Sequence, residues 1–188
     1  MSQTTTRTQV KTPARLGGRT RKAVLTVHIG SAGVWLGMDL TFAVLLCTAM
    51  LTDDRSTAAT AYQAVEMVAI YPMLTAGVLT LITGVILGIG SKYGLIRYWW
   101  VAVKLAINLL FVFLIIFGLR PSVREVAESG RMLAIDPATV VPYQDLFGPL
   151  IVAPILLVTA MILSVFKPWG RIRRAAANTD AAQQPVRR

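Results

Sequence analysis

The amino-acid sequence predicts an all-α protein, an integral membrane four-helix bundle with basic, disordered termini. Hydrophobic residues make up 55% of the 188 residues, and the mean hydropathy of +0.61 is typical of integral membrane proteins. Four apolar segments each reach the ~20 residues needed to cross about 30 Å of hydrocarbon. We therefore expect a single transmembrane domain at 23–166, with spans at about 23–51, 62–90, 98–119 and 146–166.

Positive charge is concentrated at the two ends of the chain. The arm 1–22 contains six Lys or Arg and no acid, and the tail 167–188 contains six against one Asp. Beside hydrophobic spans, these segments favour anionic lipid headgroups as partners. Nucleic acid is not expected, because no basic-aromatic recognition module is present. The second loop adds two positive residues while the first and third have one and three, so the positive-inside rule predicts that both termini are cytoplasmic.

The first span carries polar side chains on one face and glycines on the other. At about 100° per residue, His28, Trp35 and Asp39 lie within roughly 40° of one another. Gly33 and Gly37 lie on the opposite side, where their spacing allows a second helix to pack closely. Because an ionisable residue deep in a span is costly, Asp39 is predicted to have a structural ion pair or hydrogen bond, or else a transport or catalytic role.

The second span follows a polar turn at 52–61 and has a small residue at every fourth position. Pro72 removes a backbone hydrogen bond and is expected to kink this helix. Glu66 is expected near the interface or as part of a polar intramembrane site. The small residues predict a packing seam against another span, formed by Ala76, Thr80, Gly84 and Gly88.

The third span contains two polar residues, Lys104 and Asn108, on one helical face. Lys104 either snorkels to the interface or binds a partner or ligand. If the first and third spans are neighbours, Lys104 approaches Asp39 from below and Asn108 hydrogen-bonds it. In the long loop that follows, a short surface helix is predicted at 121–130.

Three short patterns along the spans carry a family resemblance. They are His28 with Trp35-x-Gly37, Trp99-Trp100-x-x-x-Lys104-Leu105, and Val165-Phe166-Lys167-Pro168-Trp169. These patterns resemble the uncharacterised, four-span predicted integral membrane proteins of bacteria and, more distantly, are similar to copper-resistance D membrane domains and to haem-dependent protoporphyrinogen oxidases. The resemblance implies a multi-pass protein of the bacterial cytoplasmic (inner) membrane. Fourteen Arg against five Lys favours an actinobacterial source.

The same resemblance implies a haem b or copper site at His28. A low-spin haem takes two axial ligands, and the chain has one histidine, so the second ligand would come from Met38, another methionine, Lys104 or a dimer mate. Copper(I) prefers Met and Cys ligands, but the methionines form no Met-x-x-Met cluster. We therefore assign no cofactor from the sequence. Histidine at this position is alternatively explained by contact with lipid headgroups.

Three functions are compatible with these observations. We favour a small binding or accessory component, alone, as a homo-oligomer or in a larger membrane complex, with a polar site inside the bundle. A haem-linked redox enzyme and a pathway for a small solute, protons or copper are the alternatives. The two halves lack the symmetry of repeat-type transporters. Motifs for phosphate loops, zinc hydrolysis and serine nucleophiles are absent from the sequence, which favours a non-enzymatic role and leaves the redox enzyme as the alternative.

Overall fold

A computed structural model describes residues 16–90, 95 and 98–166. Most of the predicted basic arm, nearly all of the second loop and the whole C-terminal tail therefore lie outside the described residues. The described chain is helical, and four helical segments are long and apolar enough to cross a membrane: Gly18–Leu51, Arg55–Ile89, Trp99–Leu133 and Tyr143–Phe166. These segments confirm the predicted four-helix membrane fold.

Six α-helices and two short turns build these segments in the described chain. A π-helical turn, Ile115–Leu119, joins α4 to α5, and a 3-10 turn, Tyr143–Leu146, precedes α6. The helices are α1 Gly18–Leu51, α2 Arg55–Ala69, α3 Tyr71–Ile89, α4 Trp99–Leu114, α5 Arg120–Leu133 and α6 Phe147–Phe166.

The first connection is much shorter than the polar turn predicted at 52–61. Helix α2 already begins at Arg55, because the Asp54 carboxylate accepts hydrogen bonds from the backbone N–H groups of Ser56 and Thr57 and caps the helix. Hydrogen bonds from the Thr57 hydroxyl and backbone hold the pKa of Asp54 below its ordinary value. The predicted turn is therefore wrong over 55–61, where a single capping carboxylate is enough to start the helix.

The second segment is interrupted where a kink was predicted. Helix α2 ends at Ala69, and the ψ angle of Ile70, −77°, departs from the regular helical value of about −42° before α3 begins at Tyr71. Pro72 lies in the first turn of α3. A backbone N–H at that position has no hydrogen-bond acceptor within its own helix, so proline, which lacks the N–H, is tolerated there. The proline thus separates two helices instead of bending one.

The third segment continues well beyond the predicted end of its span. The residues predicted as a short surface helix belong to α5, which follows α4 through the π-helical turn and packs against α2. Val123 and Val126 of α5 are fully buried. At Gly130 an added Cβ would lie 2.8 Å from the Cβ of Tyr62 and 3.2 Å from the Ala59 carbonyl. The charged face of α5 stays exposed, so the predicted surface helix is confirmed as part of a longer, amphipathic helix whose apolar face is buried.

Helices α2 and α5 form what we call the outer cap. The segment Arg55–Ile89 has 35 residues and would be about 52 Å long as a helix, whereas hydrocarbon is about 30 Å thick. One end of the bundle must therefore extend beyond the lipid core. The charged residues of α2 and α5 place the cap at that end, and the stacked rings of Tyr62 and Tyr143, with centroids 6.4 Å apart, lie beside it.

Candidate functional site

The buried face of α1 changes character along its length. Ser31, Trp35 and Asp39 are 6%, 1% and 6% exposed, and they recur at helical spacing on the face turned toward the other helices. Farther along the same face, Phe42 and Leu46 continue the stripe as apolar residues. The helix therefore buries a polar lane near its beginning and an apolar lane near the outer cap.

His28 marks the beginning of the polar lane. Its Nδ1 lies 3.1 Å from the Thr80 carbonyl and 3.0 Å from the Thr83 hydroxyl. A carbonyl only accepts, so Nδ1 carries the hydrogen and donates it to Thr80. The imidazole lies against Gly84, where an added Cβ would be 3.2 Å from its Cε1. The small residue of α3 thus makes room for the histidine of α1.

Hydroxyl groups continue the contact between α1 and α3. Thr80 donates a 2.8 Å hydrogen bond to the Ser31 hydroxyl, which donates to the His28 carbonyl at 3.1 Å. One turn farther, the Trp35 ring lies against Gly77, where an added Cβ would be 3.0 Å from the ring. Of the predicted seam, Thr80 and Gly84 face α1, Ala76 is buried, and Gly88 lies beside Leu95.

The predicted close packing at Gly33 and Gly37 is not made within the described chain. Neither glycine is buried, and an added Cβ at either position would meet nothing within 4 Å. The helix can bury only one face against α3, and burial of the polar face removes Ser31 and Asp39 from lipid. Gly33 and Gly37 therefore face away from the bundle. The prediction that they pack closely against another span is corrected for contacts inside this chain.

Four buried polar atoms have no hydrogen-bond partner in the described part of the chain. One is Nε of Arg120, and the others are Oδ2 of Asp39, Nε1 of Trp35 and Oδ1 of Asn108. Trp35 and Asp39 are one turn apart on α1. The Trp35 ring meets Phe111 of α4 edge-on, with centroids 5.5 Å apart, and Asn108 lies one turn before Phe111. This alignment of Trp35 with Phe111 puts Asn108 level with residue 32 and about 10 Å below Asp39. We call the neighbouring side chains of Asp39 and Trp35 the Asp39 site.

Lys104 is not a partner of Asp39. Its ammonium donates a 2.9 Å hydrogen bond to the Ser164 hydroxyl and lies 4.8 Å from the centroid of the Trp100 ring. It also interacts electrostatically with His28. Since Trp35 lies opposite Phe111 and α1 runs parallel to α4, Lys104 falls about 16 Å below the level of Asp39. That separation corrects the predicted ion pair.

Glu66 lies in the outer cap, away from the other predicted site residues. Its carboxylate is 3.4 Å from Arg131 Nη1 and 3.9 Å from Arg124 Nε, both on α5. Arg131 also contacts Glu128 at 2.7 Å. These side chains are partly exposed, so Glu66 joins the two cap helices at their surface and does not belong to an intramembrane site.

The helices around Asp39 are irregular at its depth. Counting along the helices from the Trp35 contacts, Asp39 is level with Ile115, the first residue of the π-helical turn, and about one turn below the break at Ile70. Counting from the Lys104 to Ser164 contact places Pro154 of α6 at nearly the same depth. Irregular backbone within a membrane is tolerated where it is buried in protein or lines a cavity.

The sequence interpretation missed several residues that build this region. Ser31, Gly77 and Thr83 were not singled out, although Ser31 falls on the same helical stripe as His28 and Trp35. Hydroxyl side chains on the buried stripe of a polar span are the signal that identifies them. The π-helical turn has no comparable sequence signal.

The described residues contain no group of three His, Cys, Asp or Glu side chains that could hold a metal ion. For haem, His28 supplies one ring nitrogen in a fixed orientation. Met38 lies ten residues along the same helix, about 15 Å away, so it cannot be the second ligand of the same iron within one chain. A six-coordinate haem is therefore not matched by His28 and Met38 alone.

Comparison with known proteins identifies the family. Residues 22–168 match the family model described as predicted integral membrane protein (DUF2269). The match covers most of the chain, so the protein belongs to this family. No curated protein and no solved structure matches it.

Proposed function

We propose that this member of the DUF2269 family of predicted integral membrane proteins is a binding or accessory component of the bacterial cytoplasmic membrane. The Asp39 site is its ligand site, and Asp39 takes up a proton or a small hydrogen-bond donor there. The observation that supports this function is that two buried polar atoms one helical turn apart, Oδ2 of Asp39 and Nε1 of Trp35, have no hydrogen-bond partner in the described part of the chain.

The energetic argument favours function over structure at this site. An acidic residue near the middle of a membrane helix costs about 2.5–3.5 kcal/mol on insertion scales. In this protein the unpartnered Asp39 oxygen is not compensated by an ion pair or a hydrogen bond from the described chain. A buried polar residue that lowers stability and makes no stabilising contact is typical of functional sites.

The donors and acceptors define the chemistry of the ligand. The Asp39 carboxylate accepts hydrogen bonds, and the Trp35 indole N–H donates one. A proton neutralises Asp39 directly. A small hydroxyl or amide compound satisfies the site by donating to the Asp39 carboxylate and accepting from the indole.

A hydrophobic carbodiimide tests this function. This reagent attacks protonated carboxyl groups in apolar surroundings, and intact-protein mass spectrometry measures the adduct. We expect one adduct on the wild-type protein and none on Asp39→Asn. Glu66→Gln is the matched control, because Glu66 is paired in the cap, and it should react like the wild type. An adduct that persists in Asp39→Asn, or its absence from the wild type, would overturn the proposal.

A second candidate function, a haem-linked redox role, is favoured by one observation. The His28 Nδ1–H group donates a hydrogen bond to the Thr80 carbonyl. Histidines that bind a metal through one ring nitrogen commonly donate a hydrogen bond from the other in this manner. A second ligand to the haem iron would come from a residue other than Met38, for example from a second copy of the chain. A Soret band that disappears in His28→Ala supports this role, whereas an unchanged band or no band in the purified wild type removes it.

We also propose that both termini are cytoplasmic, as the charge distribution predicts. Single cysteines can be placed at Thr57, Thr139 and Lys92 after exposed Cys47 is replaced by Ser. An impermeant thiol reagent should label positions 57 and 139 from outside intact cells and position 92 only after lysis. Labelling of position 92 in intact cells would reverse the orientation.

A further inference from the structure

We infer that Asp39 exchanges protons with one side of the membrane only, through the end of the bundle at His28. The inference rests on the proposed function, since it identifies the proton as the ligand of the Asp39 site and adds the route to it. The proton adds to the Asp39 carboxylate, leaves the carboxyl neutral, and returns to water at the same end.

The route is supported by the polar lane between α1 and α3. From His28, the lane passes the Thr83 hydroxyl at 3.0 Å and the bonded pair of Thr80 and Ser31 at 2.8 Å. Above Ser31, the Asn108 amide at the level of residue 32 and the Trp35 indole N–H are the unpartnered polar groups between the bonded pair and Asp39, which lies about 12 Å from Ser31 along α1. Hydroxyl and imidazole groups both donate and accept hydrogen bonds, so each can pass a proton onward.

The opposite direction is closed by apolar packing that we call the outer seal. Every residue of the seal is at most 3% exposed, and none offers a polar side chain. Beyond it, Val123 and Val126 of α5 and Leu146 of the 3-10 turn are also fully buried. Apolar interiors packed at this density hold no continuous hydrogen-bonded path. The seal consists of Phe42, Leu46, Val65, Ala69 and Ile70.

The charged groups around Asp39 have the same asymmetry. Helices α3 and α6 contain no Asp, Glu, Lys, Arg or His. On the His28 side, His28 and Lys104 face the lane from α1 and α4. On the opposite side, Arg120 begins α5, but a guanidinium stays protonated and cannot relay a proton. The acidic group of α2 on that side is Glu66, which is held by arginines in the cap. Titratable groups able to relay protons toward Asp39 therefore lie at one end.

The helix backbone is irregular at the depth of this site. The turn at Ile115, the break at Ile70 and Pro154 all lie within about one turn of the depth of Asp39. Proline at 154 removes the donor that would pair with the Leu150 carbonyl in a regular helix. Membrane transporters use discontinuous helices in the same way to surround ion sites with free backbone groups.

The experiment uses full-length protein in liposomes with one orientation, with carbodiimide as the probe. The pH is raised on one side at a time, and the rate of Asp39 modification is followed by intact mass. Above the pKa of a titrating acid, its protonated fraction falls about tenfold per pH unit. We expect that loss of rate when the pH is raised on the His28 side and no change when it is raised on the cap side.

The outcomes separate the two proposals. Dependence on the cap-side pH overturns the one-sided route while the Asp39 site stands. A modification rate that ignores the pH on both sides overturns the proton as the ligand. Absence of any adduct overturns the proposed function itself.

Variants locate the barrier. Leu46→Ser places a hydroxyl in the outer seal and should create a response to the cap-side pH. Val44→Ser is the matched control, since Val44 is exposed on the same helix and its replacement should leave the response one-sided. If Leu46→Ser folds but shows no response to the cap-side pH, the outer seal is not the barrier. If this variant does not fold, the measurement on the wild-type protein decides the proposal.

Discussion

The two halves of this bundle hold their helices together by different means. Near His28, α1 and α3 are joined by side-chain hydrogen bonds, with His28 and Ser31 bonded to Thr80. Near the outer cap, α1, α2 and α5 meet through buried apolar residues such as Leu46, Val65 and Val126, all at 0% exposure. The same helix, α1, supplies both surfaces.

The difference follows from the surroundings of each half. Within lipid, burial of apolar surface between helices gains little, so small residues and interhelical hydrogen bonds provide the association. The cap extends beyond the hydrocarbon, where removal of apolar surface from water is again favourable. Ion pairs there lie at the surface, as they do in soluble proteins.

Exchanging a buried carboxyl and a buried apolar residue between the two halves should have the largest effect on stability. Asp39→Leu removes an unpartnered buried carboxyl and is expected to raise thermal stability in detergent. The reciprocal Leu46→Asp puts a carboxyl into a fully buried apolar position and should lower stability by about 3 kcal/mol or more. Thermal unfolding followed by circular dichroism measures both. A loss of stability in Asp39→Leu would mean that Asp39 has a structural role.

The cap depends on close approach of its two helices at Gly130. Gly130→Ala brings a methyl group against Tyr62 and the Ala59 carbonyl, so α5 must shift at a cost of about 1–3 kcal/mol. Gly118→Ala is the control, because an added Cβ there meets nothing within 4 Å. It should be neutral or stabilising in the same unfolding experiment. Equal losses in both variants would contradict the close contact between α2 and α5.

The partner of Lys104 can be identified by a double-mutant cycle. Lys104→Met and Ser164→Ala each remove one side of a single hydrogen bond, so their effects should be non-additive by about 1 kcal/mol. Lys104→Met combined with Asp39→Asn should be additive instead, because the structure separates these residues. Coupling between Lys104 and Asp39 would restore the ion pair predicted from the sequence.

The smallest effect is expected at the cap surface. Glu66→Gln weakens the contacts to Arg124 and Arg131, which are half-exposed, and should cost less than about 1 kcal/mol. Added salt screens the wild-type contacts, so the difference between the two proteins should shrink as salt is raised. An effect that is large or independent of salt would indicate that Glu66 is buried in the membrane-embedded protein.

Much of the architecture was predictable from local patterns. Length and hydropathy predict the four spans, and helical periodicity places His28, Trp35 and Asp39 on one face. Pro72 predicts an interruption near the break at Ile70. These features depend on backbone geometry and on the thickness of the bilayer, which act on each segment separately.

Contacts between segments were not predictable in the same way. The distance along a helix from Lys104 to the level of Asp39 depends on how α1 and α4 are aligned, and only the contact of Trp35 with Phe111 establishes that alignment. Likewise, the continuation of the third span into α5 requires the surface of α2 as its partner.

The sequence by itself determined the membrane fold, the number of spans and the polar face of the first helix. Only the tertiary structure decided that Lys104 binds Ser164, that Glu66 belongs to the cap and that Gly33 and Gly37 face outward. The physical reason is that hydropathy and periodicity are properties of single helices. Partner choice depends instead on helix alignment, and a shift of one turn, about 5.4 Å, changes every side chain that a given residue can reach.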